Sequence, residues 1–168
     1  MRAFALALAL AVSCSTSAVA QDDVVTHSFD HVSLDLTLPA GYAFNQKLEE
    51  SRPQRVGVYS FVNPQVGFFA VEVHPYLRSQ QRLDFLAGGW ADRDLAHLGS
   101  VERVDPAILS LGNGIALRAV DTAQGYESLT VYTCNESRCY KVTATGEIAD
   151  FESSAPRYAA LLGGIHFR

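Results

Sequence analysis

The tightest constraint on how this 168-residue chain can fold lies between Tyr126 and Thr145. Two alternating runs, Tyr126–Cys134 and Cys139–Thr145, flank the polar segment Asn135-Glu136-Ser137-Arg138. Alternation with period two marks a strand with two unlike faces, and two such runs around a short loop read as a hairpin. Setting Cys134 opposite Cys139 pairs Tyr132 with Lys141, Thr130 with Thr143 and Ser128 with Thr145 on a polar face. The same register pairs Val131 with Val142 and Leu129 with Ala144 on an apolar face. A slip of one residue would part the cysteines and turn the apolar set the wrong way. The sequence therefore predicts a structural disulfide, Cys134–Cys139, whose short loop contributes about 2 kcal/mol through the unfolded chain's entropy. The loop supplies no histidine for a zinc site, and its spacing is not C-x-x-C.

A disulfide belongs to an oxidising compartment, and the N-terminus agrees. Arg2, the apolar run Phe4–Val12 and the A-x-A pattern Ala18-Val19-Ala20 read as a signal peptide over 1–20. Export to the periplasm or medium is the expectation, with cleavage after Ala20. Ala11-Val12-Ser13-Cys14 resembles a lipobox, which gives the alternative of a lipoprotein anchored at Cys14. No later stretch is apolar for long enough to span a bilayer. Apolar residues make up 48% and charged residues 18%, a globular composition, and a net charge of −5 leaves no basic footprint for nucleic acid.

Residues 21–28 read as a flexible lead-in and 29–168 as one domain. Val32, Leu34, Leu36 and Leu38 alternate with His31, Ser33, Asp35 and Thr37 as a half-buried strand, ended by Pro39-Ala40-Gly41-Tyr42. Tyr42–Pro53 is polar and carries no clear period. Arg55–Val62 and Val66–His74 read as a hairpin about Asn63-Pro64-Gln65. A helix is expected over Gln80–Leu98, with Ser79 as N-cap, an apolar stripe from Leu83 through Trp90 to Leu98, and a kink or close contact at Gly88-Gly89. Ile108–Leu111 and Ile115–Thr122 flank Gly112-Asn113-Gly114 as a further hairpin. A short helix over Ser154–Leu162 ends at Gly163-Gly164, and Ile165-His166-Phe167 closes the chain as a brief edge strand. The class is α+β, an antiparallel sheet covered by two helices.

The opening strand ending in Leu38-Pro39-Ala40-Gly41-Tyr42, the central amphipathic helix, and the late meander closing in a short helix and Ile165-His166-Phe167 resemble the PsbP-like and DcrB-like superfamily. The resemblance covers most of the chain after residue 20 and is one of architecture. It implies an α-β-α sandwich and a non-catalytic accessory or binding role. It brings no catalytic residues and no cofactor.

The chemistry-bearing residues point the same way. The sequence contains no G-x-S-x-G elbow, phosphate loop, dinucleotide fingerprint, H-E-x-x-H or EF-hand loop. His27, His31 and Asp35 gather near the N-terminus with ligand types that suit a transition metal or a small ligand. Tyr132 and Lys141, near the hairpin tip, suit a surface cation–π contact or a contact to a partner. The expectation is an exported, non-enzymatic binding or accessory protein of the bacterial envelope, acting on an unidentified protein or small ligand. The alternatives are an immunity or inhibitor protein against a toxin, and a small metal-dependent or hydrolytic enzyme.

Overall fold

The computed structural model describes residues 23–48, 57–75, 77–96, 100–105 and 114–168. The expected leader with Cys14, the expected helix end at His97 and Leu98, and the expected strand Ile108–Leu111 lie outside them.

The chain runs β1 (Val24–Phe29), a 3-10 turn (Asp30–Val32), β2 (Leu34–Pro39), β3 (Ala43–Leu48), β4 (Gly57–Asn63) and β5 (Gly67–His74). Then come α1 (Ser79–Ala87), α2 (Gly89–Leu95), β6 (Ser100–Val104), β7 (Gly114–Asp121), β8 (Tyr126–Cys134) and β9 (Cys139–Glu147). The chain closes with α3 (Phe151–Gly163) and β10 (Ile165–Phe167). A seven-stranded sheet has the order β3-β4-β5-β9-β8-β7-β6, and a three-stranded sheet has the order β1-β2-β10. Each recorded strand pair is antiparallel, as a class built from hairpins requires.

The large sheet is covered on both faces. Leu129, Val131, Val142, Ala144, Phe69, Val71 and Val73 face Leu34, Leu36 and Leu38 of β2 and Tyr158, Leu161 and Leu162 of α3. On the other face Leu117, Tyr132 and Cys139 pack under Leu77, just before α1, and Phe85, Ala91 and Leu95 of α1 and α2. The β2 leucines are fully buried, each side chain worth about 1.5–3 kcal/mol of transfer free energy.

The hairpin register is the one the sequence predicts, with Cys134 opposite Cys139 and Leu129 opposite Ala144. The cysteines are disulfide-bonded. Four expectations need correction. The lead-in over 21–28 is ordered from Val24 onward as β1, which pairs with β2 along its whole length. The alternation through Val32 is interrupted, because Asp30–Val32 form a 3-10 turn that ends at Ser33 with φ 53°. The single helix is two, separated by Gly88 at φ 101°, a left-handed conformation that suits glycine. Arg78, not Ser79, stands at the N-cap of α1. The edge partner of β7 is Ser100–Val104, so β7 is paired on both sides across Ala116–Val120.

Candidate functional site

The polar and aromatic side chains of the N-terminal strands build a rim where the two sheets meet. In β1, Val25, His27 and Phe29 pair with Leu38, Leu36 and Leu34 and so point toward the large sheet. The Phe29 ring lies 4.1 Å from Tyr59, and the His27 ring lies 4.8 Å from Phe61. Both reach Phe44 of β3, at 6.0 and 6.4 Å, and Phe44 packs edge-on against Phe61 at 5.3 Å. The ladder of rings runs from the fully buried Tyr59 and Phe61 outward to Phe44, which is 43% exposed. Val25, 46% exposed, extends the apolar surface along the inner face of β1, and Val24, 61% exposed, lies on the outer face. His31 sits on the 3-10 turn, and its Nε2 shares a hydrogen bond with the Tyr59 hydroxyl. Aromatic rings with one apolar face open to solvent, beside an imidazole, suit an apolar or aromatic group of a partner.

His27, His31 and Asp35 are not brought together. His27 is on the inner face of the small sheet, while Asp35 pairs with Ser28 and His166 on the outer face. Asp35 is held by Arg168, Nε to Oδ2 3.0 Å, and the same guanidinium reaches Asp30 at 2.6 Å. Among the described residues, no cluster of three or more histidine, cysteine or acidic side chains has a metal-binding arrangement.

Tyr132 and Lys141 are neighbours across the β8–β9 ladder, but not at the surface. Tyr132 is fully buried because α1 and α2 cover the face that the sequence alone presents as polar. Lys141 Nζ lies 3.1 Å from Asp94 of α2 and 3.4 Å from Glu72 of β5. The Tyr132 hydroxyl donates to Asp94 at 3.4 Å. Burial pushes the Tyr132 phenol up, and the Asp94 and Glu72 charges push it further. The group pins α2 to the sheet. The hairpin tip is pinned in turn: Asn135 Oδ1 accepts from the amides of Ser137 and Arg138, at 3.0 and 2.8 Å. Arg82 of α1 donates to the carbonyls of Asn135 and Glu136.

The sequence reading missed Glu127. It is fully buried on the apolar side of β8, where Arg118 donates to Oε2 from Nε and Nη2 at 3.0 and 2.6 Å. Tyr158 of α3 donates to Oε1 at 2.9 Å. Burial pushes the carboxyl up, but hydrogen bonds from Arg118, Ser154 and Tyr158 outweigh it and hold the carboxyl below its ordinary value. The Tyr158 phenol is raised by burial and by the Glu127 charge. A signal was present: Glu127 shares the parity of Leu129 and Val131, which puts a carboxylate on the buried face.

No family model matches the chain, and no curated protein matches it by sequence. Solved structures do match. The solution structure of cyanobacterial PsbP (CyanoP) from Synechocystis sp. PCC 6803 superposes with a TM-score of 0.53 at 10% identity, covering 92% of this chain and 98% of that one. A mutant of the protein Mog1 superposes with a TM-score of 0.52 at 10% identity, covering 86% of this chain and 96% of that one. At such identity the likeness concerns the fold: the chain has the α-β-α sandwich architecture shared by these PsbP-like structures.

Proposed function

We propose that this chain is an exported, non-enzymatic binding or accessory protein of the bacterial envelope that takes its partner at the β1–β3 rim. The observation that carries the reading is the exposure of Phe44, packed against the inner-face rings of His27 and Phe29, together with that of Val25 on the same face of β1. Apolar groups exposed together mark interaction surfaces more often than apolar groups scattered singly. The buried and half-buried ionisable groups described above have another use: Glu127 is engaged by Arg118 and Tyr158, and Lys141 by Asp94 and Glu72. The cross-strand disulfide and the leader pattern support maturation outside the cytosol.

The test places a photo-crosslinking amino acid at Phe44 and, as a control, at Glu152 on the exposed side of α3. Crosslinking in the exported protein is expected to give one defined adduct from position 44 and none from 152. Equal labelling at both positions, or turnover of a defined substrate that a single substitution abolishes, overturns the reading.

A further inference from the structure

Among the described residues the two sheets end in four strands: β1 and β10 in the small sheet, β3 and β6 in the large one. An edge strand presents unpaired N–H and C=O groups, and proteins blunt such edges with charge, proline, a bulge or short length. β3 contains Lys47 and a bulge between Phe44 and Gln46. β6 carries Glu102 and Arg103, and β10 is three residues long and is followed by Arg168. β1 carries none of these devices within its span, and its flanking charges are Asp23 and Asp30. Its six residues, VVTHSF, include no Asp, Glu, Lys, Arg or Pro, and its register with β2 is unbroken.

We propose that β1 is a self-association strand, pairing antiparallel with β1 of a second copy of this chain across a two-fold axis at Thr26. This rests on reading the rim as a binding surface, and names the partner.

The register follows from the backbone. Ala40 N–H donates to Asp23 O at 2.7 Å. With the unbroken β1–β2 register, Val25, His27 and Phe29 then turn their N–H and C=O groups toward β2. Val24, Thr26 and Ser28 turn theirs toward the open side. A two-fold axis normal to the sheet must bring inner face to inner face and open backbone to open backbone. Centring on Thr26 does both, with Thr26 opposite Thr26 and Val24 opposite Ser28 in hydrogen-bonded pairs. Centring on Val25 or His27 shortens the hydrogen-bonded overlap. With Thr26 at the axis, Val25 meets His27 on the inner face beside Phe44, so the exposed rim is covered by its own copy. Within Val24–Phe29 the pairing brings no charged side chains together, and Asp23 and Asp30 lie at its two ends. Asp23 falls opposite Phe29, and Asp30 beyond it is held by Arg168. A closed two-fold contact of this kind stops at a dimer.

The test is sedimentation equilibrium on the full chain, expressed with its own N-terminal segment and purified as processed. The mass is expected to rise from monomer to dimer with concentration. Thr26→Pro removes an N–H that points to the open side, a substitution edge strands accept. Thr26→Lys sets two like charges face to face at the axis. Each is expected to leave a monomer, with thermal unfolding confirming that the chain is folded, while Val101→Lys on β6 leaves the dimer intact. A wild-type monomer at every concentration up to about 1 mM, or a dimer that survives Thr26→Lys, overturns the proposal. A monomeric wild type that still crosslinks a different protein from position 44 overturns self-association alone. A chain that gives no adduct from position 44 overturns the binding reading as well.

Discussion

Glu127 shows how a single side chain can set the acid limit of the fold. Its carboxylate is fully buried and engaged by Arg118 and Tyr158. Arg118→Ala removes the closer of its two cations, leaving Arg157 Nη2 at 3.8 Å, and is expected to cost about 3 kcal/mol, read from urea denaturation. The pH dependence follows from the carboxyl being held below its ordinary value. A carboxyl lowered in the folded state contributes its full stabilisation above its unfolded pKa, near 4.5, and loses it as pH falls through the lower folded value. Denaturation midpoints measured from pH 6 downward are therefore expected to drop steeply below about pH 4.3 in the wild type. Glu127→Gln is expected to flatten that drop, and an unchanged profile would show that Glu127 is not the group responsible. Glu127 was legible only as a parity clash within β8. Tyr132 was misplaced for a different reason. Strand alternation tells which residues share a face, but not whether a later helix covers it, and α1 with α2 turns a polar-looking face into a second core.

Among the elements, the legible ones were those whose local chemistry and face pattern agree. The Cys134–Cys139 hairpin satisfied a crosslink and an apolar face with one register, and it forms in that register. Replacing both cysteines with serine is expected to lower unfolding free energy by about 2 kcal/mol while leaving the fold intact, checked by denaturation with circular dichroism. β1 was missed because Val24 and Val25 are both apolar, so the alternation starts blurred, and the acidic Asp22-Asp23 before it reads as a tail. β6 was missed because an edge strand exposed on most of its length shows no buried period. The helix break was half-legible: Gly88-Gly89 signalled an interruption, but not that Gly88 would take φ 101° and end α1. Gly88→Ala is expected to cost about 1–3 kcal/mol, since a side chain there is strained by the backbone. The added Cβ would also meet Arg103 Nη2 at 2.8 Å. A thermal midpoint equal to wild type would contradict this.

For the molecule as a whole, the sandwich assigns its parts different work. The α1–α2 layer and the hairpin tip are tied down by Lys141, Arg82 and the disulfide. The α3 side is tied down by Glu127 and by the fit of Gly164 against β2, where Thr37 N–H donates to its carbonyl at 2.8 Å. The β1–β3 rim instead exposes Val25 and Phe44. This division was only partly legible in sequence. His27 and His31 drew attention to the right segment, but as ligands for an ion rather than as members of an aromatic rim. Phe44 lay in a stretch without a period, and its ring contacts come from β1 and β4, which only the folded chain brings together. The most direct measurement is hydrogen exchange on the purified protein, free and in the complex captured from position 44. Protection is expected to rise at the open-side amides of Val24, Thr26 and Ser28 and at Ala43 and Phe44, with the amides of α1 and of Asn135–Cys139 unchanged. Protection gained at α1 and the hairpin tip, with the rim exchanging as in the free chain, would contradict the assignment of binding to this edge.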